Sequence, residues 1–102
     1  MNLGQSLLEY EKSRRSDEPI AHMIDELIKR SDITSRIKRA DTAIDNTMLD
    51  LYREDNTRFS VRFEHGKWLG SEDRIAGRMI RYMYENLPGM LKQIERWAKQ
   101  AL

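Results

Sequence analysis

Residues 31–54 read SDITSRIKRADTAIDNTMLDLYRE, and this stretch decides what kind of fold the chain is expected to adopt. Ser31-Asp32 can cap a helix. After it, Ile33, Ile37, Ala40, Ile44, Met48 and Leu51 recur at steps of four, three, four, four and three. That spacing predicts one long amphipathic helix reaching about Arg53. A competing reading breaks it near Asp41-Thr42, with Asp41 capping a second helix.

Upstream, Ser16-Asp17-Glu18-Pro19 carries the residues that start a helix: a capping side chain, acidic first-turn residues and Pro at the first helical position. Ile20, Met23, Ile24, Leu27 and Ile28 then share one face, which predicts a helix over about 19–30. Residues 2–14 repeat Leu3, Leu7 and Tyr10 at helical spacing and read as a further helix, with 1–15 a frayed or docking segment.

Downstream, the period changes. Phe59, Val61 and Phe63 alternate with Arg58, Ser60, Arg62 and Glu64, the pattern of a half-buried strand. His65-Gly66 suits a two-residue turn. A short return strand, Lys67-Trp68-Leu69, then sets Glu64 opposite Lys67 and Phe63 opposite Trp68. Both pairs are favourable across strands.

Gly70-Ser71-Glu72-Asp73 reads as the cap of a helix running to about Leu87, striped by Ile75, Met79, Ile80, Met83 and Leu87. Gly77 falls inside it, where it costs about 1 kcal/mol against Ala. Pro88-Gly89 breaks the chain before a last helix bearing Met90, Leu91, Ile94, Trp97, Ala98 and Ala101. The expected fold is therefore mainly α, in one domain over residues 1–102. It has about five helices, with one two-stranded antiparallel hairpin between the third and fourth.

The chain has 102 residues, 34% of them charged, and a formal net charge of +1. That sum hides an asymmetry. Residues 1–55 hold nine Lys/Arg and twelve Asp/Glu, a net of −3, and residues 56–102 hold nine and five, a net of +4. The absence of cysteine excludes disulfide scaffolds, thiol nucleophiles and Cys-ligated metals. No apolar run approaches the roughly 18 residues of a membrane-spanning helix, and residues 1–15 show no signal-peptide pattern. A cytoplasmic location without membrane association is expected.

Chemistry-bearing constellations are thin. His22 shares a helix face with Glu26, but two ligands do not make a metal site, and a solvated histidine explains it better. His65 fits its turn position. There is no G-x-S-x-G elbow, phosphate-binding glycine loop or H-E-x-x-H pair. No catalytic residue, cofactor or metal is assigned, and an enzyme is not expected.

The cations are more informative. Arg74, Arg78 and Arg81 fall at steps of four and three, and so would stripe the helix after the hairpin. Arg58 and Arg62 lie on the hairpin's polar face, and Lys67 is near its tip. Turned the same way, these six would meet an acidic protein surface or phosphates. Tyr82 and Tyr84, which would point in different directions on that helix, would anchor contacts.

The expected function is that of a small non-enzymatic interaction protein, an adaptor, inhibitor or regulator, binding most naturally a protein partner through this basic and aromatic face. Two alternatives stand beside it. The element order resembles a winged helix, with 19–30, 32–39 and 42–54 as its helices and 57–70 as the wing, which would imply nucleic-acid binding. Against this, the polar face of 42–54 carries Asp45, Asp50 and Glu54 with Arg53 its one cation. The other alternative is a homodimer built on the Met- and aromatic-rich C-terminal helices.

Overall fold

The computed structural model describes residues 19–42, 47–73 and 77–100. Two short helices lead: α1 (Pro19–Ile28) and the single turn α2 (Ser31–Thr34). Five strands follow: β1 (Ile37–Thr42), β2 (Met48–Arg53), β3 (Arg58–Glu64), β4 (Lys67–Asp73) and β5 (Met79–Tyr84). Helix α3 (Leu87–Lys99) closes the described chain. The strands form one antiparallel sheet in the order β1-β2-β3-β4-β5, a simple up-and-down meander.

This corrects the helix-dominated expectation. Among the described residues, 31–54 holds one helical turn and two strands, and 71–84 holds the end of one strand and the whole of another. The hairpin of β3 and β4 is the middle of the sheet, not an insert between helices. Its internal register is Glu64 opposite Lys67 and Phe63 opposite Trp68, as its sequence pattern requires. His65 and Gly66 turn the chain with φ of 54° and 77°, the left-handed conformation of a two-residue hairpin loop. The winged-helix order fails on the same grounds, since its recognition helix is replaced by β2. The N-terminal helix over 2–14 lies outside the described residues.

The physical reason is that a lone hairpin is marginal in water and leaves two unpaired edges. Here both edges are paired. Leu49 and Leu51 of β2 stand opposite Val61 and Phe59, and β5 pairs with β4 from Trp68–Tyr84 to Asp73–Met79. Two period-2 patterns lie beneath the helical ones. Leu49 and Leu51 are buried while Met48, Asp50 and Tyr52 are not. In β5, Ile80, Tyr82 and Tyr84 face one way and Met79, Arg81 and Met83 the other.

Consequently the sheet has two unlike faces. Its inner face buries Leu49, Leu51, Phe59, Val61 and Trp68 against Met23, Ile24 and Leu27 of α1, Ile33 of α2, and Met90, Ile94 and Trp97 of α3. The Phe59 ring packs 5.6 Å from that of Trp97 and 5.9 Å from that of Tyr82. Gly70 admits this packing: a Cβ there would lie 3.0 Å from the Phe59 ring and 3.1 Å from the Met90 methyl. The outer face carries no buried side chain among the described residues. Gly77 is not helical either. It precedes β5 with φ +74°.

The turn between β2 and β3 is tied to α3 through Arg53. Its guanidinium donates to the Asp55 carboxylate (3.0 Å), to Thr57 Oγ1 (2.7 Å) and to the Trp97 carbonyl (2.7 Å). The Trp97 carbonyl lies in the last helical turn, where it also accepts from the Gln100 amide at 3.3 Å. Thr57 donates from both its amide and its hydroxyl to Asp55. Burial pushes the Asp55 carboxyl up, but the Thr57 donors and Arg53 outweigh it and hold it below its usual range.

Candidate interaction surface

Antiparallel register arranges the outer face in rows. One row runs Asp41, Asp50, Ser60, Ser71, Arg81. A second runs Met48, Arg62, Leu69, Met83. A third contains Arg39, Tyr52 and Arg58, with Asp73 and Met79 beyond them. Apolar side chains thus stand between arginines across the sheet. A shallow depression of about 450 Å³ opens among them, lined by Met48, Arg58, Arg62, Leu69, Met79 and Arg81.

Several of these charges are neutralised in place. Arg58 meets Asp73 at 3.2 Å, Arg62 meets Glu64 at 3.4 Å, and Arg39 meets Asp41 at 3.2 Å while lying over the Tyr52 ring. Ser60 donates to Asp50 at 2.6 Å. Partial burial works against the charge of Arg58, but Asp73, Asp50 and Tyr52 more than offset it and hold its pKa above the ordinary value. Arg78 and Arg81 are exposed, and no ion pair engages either among the described residues.

The structure brings Arg58, Arg62, Lys67 and Arg81 to this face, by strand alternation and not as a helical stripe. Arg78 sits at the entry to β5, and Arg74 lies outside the described residues. Tyr82 and Tyr84 depart from expectation. They point the same way, inward, and both are half-buried: Tyr82 stacks on Phe59, and Tyr84 donates to Gln93 Oε1 at 2.8 Å. Tyr82 also lines the depression. The helical dimer surface also changes character, because 79–84 is a strand and Trp97 is 1% exposed in the core.

Sequence reasoning missed Met48, Leu69, Met79 and Met83 as surface residues. Helical spacing places Met79 and Met83 on a helix's apolar stripe, yet they are 47% and 60% exposed. Their signal was alternation with Ile80, Tyr82 and Tyr84. Among the described residues no three of His, Cys, Asp and Glu stand close enough to hold a metal ion. No helix among them is long and apolar enough to cross a membrane. Comparisons of the chain with protein-family models, with curated proteins and with solved structures find no match.

Proposed function

We propose that the protein is non-enzymatic and acts as an adaptor, inhibitor or regulator, binding a protein partner through the outer face of its sheet. The observation that carries this reading is that face itself: five strands that no helix among the described residues covers, with Met48, Leu69, Met79 and Met83 set between Arg58, Arg62 and Arg81. A solvated face on an antiparallel sheet is ordinary, and polar residues alone would mean nothing. Methionines and a leucine grouped among arginines fit the composition of contact surfaces, which favour Met and Arg.

A protein partner suits the face better than nucleic acid. Asp41, Asp50, Glu64 and Asp73 are interleaved with the cations and would repel phosphates at close range. They can instead exchange ion pairs with a mixed-charge protein surface.

Site-specific photo-crosslinking in the source cell tests the proposal. A photoreactive residue at Leu69 or Arg62 should capture one and the same protein, whereas one at Lys29 on α1 should not. Capture of nucleic acid from Leu69, or equal capture from all three positions, refutes it.

A further inference from the structure

The two edges of the sheet are built differently. Strand β1 is disrupted by a register shift between Ile37 and Arg39 and is lined with exposed charge. Lys38 is held by Asn56 Oδ1 at 3.0 Å. Bulges and lysines are the usual devices that stop an edge from pairing with another chain. Strand β5 has neither. It pairs with β4 without irregularity over its six residues, and no strand adjoins its other side among the described residues. The three large apolar side chains most exposed in the described structure, Met79, Ile80 and Met83, all lie on it.

We infer that β5 receives an extended segment of the partner as a sixth strand, and that this segment is acidic at the position opposite Arg81. This rests on the reading of the outer face as a partner-binding surface, which it extends to the face's β5 border. In such an addition, backbone hydrogen bonds supply affinity and alternate side chains supply specificity. On the outer face, the incoming strand meets Met79, Arg81 and Met83. It therefore carries an Asp or Glu with an apolar residue two positions to either side. Between them, its inward residues face Ile80 and Tyr82 and are apolar or β-branched.

Charge and the length of the free edge decide between this occupant and a second copy of the chain. A two-fold pair of β5 strands centred on Arg81 sets two guanidiniums directly opposite each other. One centred on Tyr82 pairs Arg81 with Met83 and puts Glu85 of the second copy across from Met79. One centred on Met83 does set Arg81 opposite Glu85, but there Ile80 and Met79 meet Asn86 and Leu87, where α3 begins, so the shared edge shrinks to residues 81–85. Like charges across strands destabilise the pair, and an acidic residue opposite Arg81 stabilises it.

Two short blocked peptides serve as probes, each alternating Val and Thr around one central residue, Glu in one and Lys in the other. They are titrated into the full chain while backbone amide NMR signals are followed. The Glu peptide should shift the amides of 79–84 and bind about fivefold more tightly than the Lys peptide. The Arg81→Glu variant should reverse that order. Arg81 is exposed, so the variant keeps its core, and unchanged amide protection at Leu51 and Phe59 checks this. Equal affinities, shifts centred on β1, or amides of 79–84 that move with protein concentration alone would each overturn the proposal. The last outcome would assign the edge to a second copy. Failure of the peptides alongside persistent crosslinking from Leu69 would remove the sixth strand and leave the outer-face reading intact.

Discussion

Replacing Arg53 by Ala removes the tie between the β2–β3 turn and α3, and the structure allows the loss to be sized. The side chain is 11% exposed, and its partner Asp55 is 19% exposed. The substitution deletes donors to Asp55, to Thr57 and to the Trp97 carbonyl, and it removes a guanidinium 5.2 Å from the Trp97 ring centroid. Hydrogen bonds to charged groups contribute about 1.5–3 kcal/mol where buried. Asp55 keeps two Thr57 donors and some solvent, which places the expected loss near the lower end, at about 2 kcal/mol. For a chain of this size that lowers Tm by about 10 °C. Urea denaturation followed by Trp fluorescence measures the difference directly. Arg53→Lys should recover only part of it, because an ammonium cannot span both the carboxylate and the helix carbonyl. In a double-mutant cycle with Asp55→Ala, the two changes should couple by about 1 kcal/mol. An Arg53→Ala variant within about 0.5 kcal/mol of wild type, the usual range of an inconsequential surface change, would show that the contact contributes nothing.

Other expectations follow from the same geometry. Because the Asp55 carboxyl is held below its unfolded value of about 3.9, its contribution to stability is complete above that pH and is lost as pH falls through the folded value. Acid unfolding of Thr57→Val should therefore begin at higher pH than that of wild type. Gly70→Ala should destabilise by about 1 kcal/mol, the crowding of the immobile Phe59 ring exceeding the gain from replacing a strand glycine. Thermal melts would check the sign. Lys99→Ala removes an exposed ion pair with Asp32, and despite its 2.8 Å length it should leave the melting curve unchanged within error. Leu69→Asp should weaken partner binding about tenfold in a titration with the crosslinked partner, while leaving stability within about 0.5 kcal/mol.

The β3–β4 pairing was legible because strict alternation, a His65-Gly66 turn and two matched cross-strand pairs all agree. Helices α1 and α3 were legible because their apolar residues fit only a helical period, with Pro19 and Pro88 marking their starts. Segments 31–54 and 79–84 fit two periods at once. Ile33, Ile37, Ala40, Met48 and Leu51 satisfy a helical stripe, but Leu49 with Leu51 satisfies a strand. Likewise Met79, Ile80 and Met83 stripe a helix, while Ile80, Tyr82 and Tyr84 line one side of a strand. Short apolar runs are ambiguous in this way, and local spacing cannot arbitrate.

By itself, then, the sequence determined that the C-terminal half is cationic, that cysteine chemistry is absent, and that Phe59, Val61, Phe63 and Trp68 belong to paired strands. Only the tertiary structure decided what lies on either side of that pair. A hairpin's unpaired edges and exposed Phe59 ring are satisfied by neighbours far along the chain. Once β2 and β5 dock there, every residue in them is assigned to one face or the other. That assignment turned Tyr82 and Tyr84 inward, turned Met79 and Met83 outward beside Arg81, and converted an expected helical stripe into part of the outer face of a sheet.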